Sequence, residues 1–134
     1  MFSRFQRRPL SELEQKVMDF VWAHPRSTSE DCRAGLVPFR TLKESTVRTL
    51  LRRLEDKGYV THEVDGRTYL YRSADRRENV AMEAVRGIVD RFCGGSVEEL
   101  LVGMVDNDVI DSKELESLAL KIALRRKASS KENK

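Results

Sequence analysis

No run in this sequence is long and apolar enough to cross a bilayer. Its start, Met1-Phe-Ser-Arg-Phe-Gln-Arg-Arg8, lacks the apolar segment of a secretory signal. The expectation is a cytoplasmic protein with no membrane insertion. Cysteine and histidine are scarce, with two of each: Cys32, Cys93, His24 and His62. None stands at metal-ligand spacing from another, and there is no CxxC, HExxH, phosphate-cradling glycine loop or nucleophile elbow. Without these motifs no metal, cofactor or catalytic residue is expected, and the chain is not read as an enzyme. Each cysteine lies within an apolar helical pattern and reads as a buried, reduced thiol, with a disulfide or redox switch as the other reading.

What the sequence does contain is charge and helix pattern. Charged residues make up 35% and hydrophobic ones 40%, the balance of a helix-rich globular chain. At 134 residues it suits one domain, or one small domain with an assembly segment, since each lobe alone would have a thin core. The net charge of +3 becomes informative once divided: residues 1–74 hold 14 Lys/Arg against 10 Asp/Glu, and residues 75–127 hold 9 against 11. Basicity therefore belongs to the first part, as a polyanionic partner would require.

The most informative stretch is 45–72. Val47, Leu50, Leu51 and Leu54 recur at helical spacing and define one apolar stripe, with Ser45 as N-cap and Gly58 as the left-handed terminator. Opposite the stripe lie Ser45, Arg48, Thr49 and Arg52, flanked by Thr46 and Arg53. Such an arc can enter a DNA major groove, where Arg reads guanine and Thr meets a thymine methyl or a phosphate. Tyr59 to Arg72 then has strand preference around Asp65-Gly66, a two-residue turn that would set His62 opposite Tyr69 and Val60 opposite Tyr71, with Arg67 at the tip. A helix followed by a basic hairpin is a winged helix-turn-helix. A solvated basic face on an ordinary core helix is the plainer explanation of the arc, and the adjoining hairpin counts against it.

Around this stretch, Phe2 to Arg8 forms a basic arm with Arg4, Arg7 and Arg8, a tail or a phosphate contact. Ser11-Glu-Leu-Glu14 is a capping box opening a helix whose face includes Leu13, Val17, Met18, Phe20, Val21 and Trp22, stopped at His24-Pro25. A short helix follows from Ser27 to near Gly35, and Arg40 and Lys43 in the next turn are candidate phosphate contacts. Asp75 and Glu78 cap a long helix that ends at Gly94-Gly95, and two shorter helices follow. The expected fold is mainly α with a β-hairpin wing: residues 1–74 a winged-helix DNA-binding domain, 75–127 a helical dimerisation domain and 128–134 a mobile tail. Three short helices cannot make a stable globule alone, so two copies should pack through Val85, Ile88, Val89, Phe92, Leu100, Leu101, Met104, Leu115, Leu118 and Ile122.

The chain resembles the penicillinase and methicillin-resistance repressor family, BlaI/MecI, over about residues 9–126. The carriers are Leu10-Ser-Glu-Leu-Glu14 with Val17-Met18 and Val21-Trp22, the run Ser45 to Gly58, Asp65-Gly-Arg-Thr-Tyr-Leu-Tyr-Arg72, Phe92-Cys-Gly-Gly-Ser96 and Glu114-Leu-Glu-Ser-Leu118. The resemblance implies a homodimeric repressor of transcription, connected with antibiotic resistance, that binds a palindromic operator in double-stranded DNA. It places DNA contacts on Thr46, Arg48, Thr49 and Arg53, with Ser45 and Arg52 adjacent and Arg67 on the wing. It also implies a membrane-bound sensor metalloprotease as partner, cutting at an Asn-Phe bond in the helix after the double glycine; the aligned pair here is Gly103-Met104. The family's copper-responsive branch carries a C-terminal cysteine cluster that is missing here, so copper sensing is not expected. A winged helix used as a protein-interaction module, its basic face meeting an acidic partner, is the alternative reading.

Overall fold

A computed structural model describes residues 6–132. Its elements are, in order, α1 (Glu12–Ala23), α2 (Ser29–Leu36), α3 (Glu44–Asp56), β1 (Val60–Asp65), β2 (Thr68–Ser73), α4 (Arg77–Phe92), α5 (Val97–Asp106) and α6 (Ser112–Glu132). The chain divides into two compact units, the first ending at Gly87 and the second starting at Ile88.

In the first unit the three helices and the hairpin share one core: Val17, Met18 and Val21 of α1, Cys32 and Leu36 of α2, Val47, Leu50, Leu51 and Leu54 of α3, and Tyr59, Val60 and Tyr71. The α1 capping box forms as expected, with Glu14 N–H donating to Ser11 Oγ and Ser11 N–H donating to Glu14 Oε1. A second box at Thr28 and Asp31 opens α2. Helix α3 closes at Gly58, whose φ of 86° only glycine adopts without strain. The amides of Gly58 and Tyr59 donate back to Glu55 and Leu54 carbonyls, so the chain turns directly into β1.

Four local expectations need correction. Helix α3 is capped by Lys43 and not Ser45, with no side-chain cap, because it begins two residues early at Glu44, a carboxylate favoured in a first turn. The hairpin pairs His62 with Tyr71, Val64 with Tyr69 and Asp65 with Thr68, so the turn residues are Gly66 and Arg67. Gly66 has φ 64°, and no other turn residue has positive φ; a turn that needs positive φ only at its first central position puts the glycine there. Asp75 accepts from Arg76 N–H and Asn79 Nδ2, and α4 starts at Arg77, one residue later than a cap at Asp75 implies. Residues 128–132, assigned above to a mobile tail, continue α6, since Ala128 to Lys131 contains neither proline nor glycine to stop a helix.

The first unit also reaches past residue 74. Trp22 Nε1 donates to the Asp75 carbonyl at 3.0 Å, Arg77 lies over the Trp22 ring, Val80 packs on the core, and Arg7 pairs with Asp75 and with Glu83 at 3.1 Å. The start of α4 thus belongs to the winged helix. Hydrogen bonds in both directions between Ser27 and Tyr71 add a bridge that no pattern announced, fastening β2 to the segment before α2.

Glu14 is 3% exposed, an unusual place for a carboxylate. Lys57 Nζ lies 2.8 Å from Glu14 Oε1 and 2.9 Å from the Pro9 carbonyl, joining the end of α3 to the start of α1. Burial pushes the Glu14 carboxyl up, but the Lys57 and Ser11 hydrogen bonds and the Lys57 charge outweigh it and hold the group below its ordinary 4.5. A depressed folded value means the contribution is present above 4.5 and is lost as pH falls through the folded value. Lys57→Ala should therefore lower unfolding free energy by about 2 kcal/mol at neutral pH, by stranding a buried carboxylate. The deficit should shrink once Glu14 is protonated. Urea unfolding of both proteins at pH 7 and pH 3 measures it, and a deficit independent of pH would contradict the pairing.

Candidate nucleic-acid interface

Because α3 turns Val47, Leu50, Leu51 and Leu54 into the core, its opposite arc faces outward. Ser45, Arg48, Thr49, Arg52 and Arg53 are exposed and Thr46 is half-buried. Thr49 Oγ1 donates to the Ser45 carbonyl at 3.0 Å, leaving its methyl group and the Ser45 hydroxyl for other contacts. Arg48 lies 3.7 Å from Glu44, whose carboxylate also accepts from Ser29 Oγ. Among the described residues, the ion pairs leave out Arg52, Arg53 and Arg67.

The flanking cations take different positions. Lys43 is exposed at the start of α3, and Arg40 lies over the Phe39 ring at 5.4 Å. Lys16 of α1 sits 5.0 Å from the same ring. Nothing in the sequence linked Lys16 to this side of the molecule, since the proximity comes only from the packing of α1 beside the α2–α3 turn. Arg67 occupies the second turn position and lines a groove with Arg48, Thr28, Ser29 and Tyr69, so two cations expected on separate elements converge.

Arg7, expected in a DNA-contacting or solvated arm, is instead bound within the fold. Its guanidinium pairs with Glu83 and Asp75, donates to the Gly58 carbonyl at 2.9 Å and stacks over Tyr59, since two nearby carboxylates outcompete solvent for it. Arg4 lies outside the described residues. His24 acts locally, its Nδ1 3.1 Å from the Phe20 carbonyl and its ring stacked on Phe20. Cys32 is buried, and burial first, then the Asp31 charge, pushes its thiol up to about 12. So protonated a sulfur is a poor nucleophile, and a redox role for Cys32 is not supported. Among the described residues no His, Cys, Asp and Glu side chains gather as a metal would require, and no helix is long and apolar enough to cross a membrane.

In the second unit, where Ser96 caps α5, the interface candidates are mostly open. Ile88, Phe92, Leu101, Leu118 and Ile122 are exposed, with Phe92 at 79%, while Leu100, Met104 and Leu115 are half-buried. Val85, which falls in the first unit, is also exposed. Val89 differs: at 1% exposure it is already covered within the single chain and offers no free surface to a partner. The Gly103-Met104 bond lies inside α5.

The chain is similar to known proteins over most of its length. The family model described as penicillinase repressor matches residues 10–123. The penicillinase repressor of Staphylococcus aureus is 22% identical over 109 residues, covering 81% of this chain and 86% of that protein. The penicillinase repressor of Bacillus licheniformis is 24% identical over 110 residues, 81% and 85% of the two chains. An uncharacterized 16.5 kDa protein of Latilactobacillus sakei is 31% identical over 103 residues, 76% and 70%. Among solved structures, the DNA-binding domain of the repressor BlaI superposes with a TM-score of 0.47 at 26% identity, covering 59% of this chain and 93% of that one. Since the matched family span takes in the winged helix, the double glycine and most of the helices after it, the chain belongs to the penicillinase repressor family.

Proposed function

We propose that this DNA-binding transcriptional repressor works as a homodimer on a palindromic operator, with α3 in the major groove and the wing against the phosphate backbone. The carrying observation is the outward arc of α3, where Arg48, Thr49, Arg52 and Arg53 stand exposed while the opposite stripe is buried. Ser45 and Thr46 lie at the start of the same helix, and Arg40 and Lys43 precede it as phosphate contacts. The exposed aliphatic and aromatic groups of the second unit are what a second copy would cover. Two joined heads gain the specificity that one half-site cannot supply.

Release by proteolysis at Gly103-Met104, with a sensor metalloprotease as partner, would require α5 to unwind first, since a protease cleaves extended backbone. It would then separate α6 from the wing.

Arg52→Ala and Arg53→Ala should each weaken operator binding by about 1–3 kcal/mol, and Thr49→Ala should relax specificity more than affinity. Binding to the duplex footprinted upstream of the protein's own coding sequence, and to random duplex, measures both. Unchanged affinity in all three variants would remove α3 from the account.

Arg67→Ala should act differently, because a cation at the wing tip neutralises phosphate without reaching base edges. Affinity should fall alike for all sequences, and the slope of log affinity against log salt should become shallower by about one unit. A loss confined to one base pair of the operator would contradict the positioning role.

Leu118→Asp tests the assembly. Leu118 is 38% exposed in the single chain, so the substitution leaves the chain's own core untouched but would bury an unpaired charge in a dimer. Sedimentation should show a shift toward monomer, and operator affinity should fall with it. A monomer binding the full palindrome as tightly as wild type would refute the coupling.

A further inference from the structure

The wing carries an exposed aromatic group that the roles above leave unused. Tyr69 is 48% exposed and lines the groove that also holds Arg48 and Arg67. Its ring is stacked on the His62 imidazole, centroids 4.2 Å apart and planes within 10°. His62 Nδ1 in turn lies 2.6 Å from Glu55 Oε1, and Glu55 belongs to the last turn of α3. Direct contacts therefore run from α3 through Glu55 and His62 to Tyr69. Such a ring on an exposed strand would otherwise sample several rotamers, and the stacked imidazole, itself held by Glu55, reduces that freedom. The groove's two carboxylates are already occupied: Glu44 by Ser29 and Arg48, and Glu30 by Arg33 at 2.6 Å. That leaves the guanidinium of Arg67 and neutral hydroxyls as its free polar groups, a set suited to a phosphate.

We propose that Tyr69 is a further DNA contact, its hydroxyl donating to the phosphate backbone, and that His62 and Glu55 are positioning residues that hold its ring in place. The proposal rests on the DNA reading above and deepens it with a contact of distinct signature. A hydroxyl is a neutral donor and releases no counterion, so its loss lowers affinity without changing the salt slope, unlike the loss of Arg67.

The test uses the full chain, with the footprinted operator duplex and a random duplex titrated across a range of salt. Tyr69→Phe keeps the ring and its stacking but removes the donor. It should weaken binding to both duplexes about fivefold, as one lost hydrogen bond does, with the salt slope unchanged. Glu55→Ala and Glu55→Gln remove the same charge, yet only Gln keeps an acceptor for His62. The Ala variant should bind more weakly than the Gln variant, and that difference should vanish in a Tyr69→Phe background. Wild-type affinity for Tyr69→Phe, while Arg52→Ala weakens binding, overturns the tyrosine contact alone. Silence of both overturns the DNA reading beneath it. A changed slope for Tyr69→Phe refutes the neutral donor, and an Ala-against-Gln difference that persists without the hydroxyl refutes the positioning chain.

Discussion

A helix of 13 residues has one inward and one outward face, and α3 has its inward face filled by Val47, Leu50, Leu51 and Leu54, all buried. The rest of the first unit follows from that burial. Helices α1 and α2 supply the surfaces that close over the stripe, and the arc on the far side can only point to solvent. Truncating a buried leucine here would cost about 2–5 kcal/mol. The same packing that stabilises the domain therefore fixes the direction of Arg48, Thr49, Arg52 and Arg53.

Orientation alone would not hold the wing beside the helix. Two polar connections do so, and a third fixes the helix itself. Lys57 and Glu14 tie the end of α3 to the start of α1, Ser27 and Tyr71 tie β2 to the segment before α2, and His62 meets Glu55 across the turn at Gly58. Glu14 serves twice, as the partner in a capping box and as the acceptor of the half-buried Lys57 ammonium. With a carboxylate so enclosed, the packing of α1 on α3 depends on charge as well as on apolar fit.

The second unit poses the opposite problem. Its helices leave Ile88, Phe92, Leu120, Ile122 and Leu124 exposed, and the loop after α5 leaves Val109 exposed, while Val89 is covered. A small helical unit with this much open apolar surface has little to stabilise it alone, whereas a second copy offers a self-complementary face. In the proposed dimer, assembly and DNA binding would become one thermodynamic matter, because the partner would raise the effective concentration of the second reading head.

Periodicity and end signals carried much of this protein. The apolar stripe of α3, the caps at Ser11 and Ser96 and the terminating Gly58 are local features, and local backbone physics determines them from a few neighbouring residues. The basic arc was legible for the same reason, since a stripe at helical spacing implies its opposite. Contacts between elements distant in sequence were not. A hairpin turning at Asp65-Gly66 or at Gly66-Arg67 puts Val60 and Tyr71 on the same face, so local alternation could not choose the register that pairs His62 with Tyr71. Arg7 looked like a free cation until Glu83 and Asp75 were brought beside it, and Lys16 and Arg40 share the Phe39 ring only through helix packing. The sequence by itself determined which faces were apolar and some of the helix ends, at Ser11, Gly58 and Ser96, because those properties follow from short-range spacing. Only the tertiary structure decided which charges were paired and which remained exposed, because a partner more than 40 residues away leaves no mark on a local pattern.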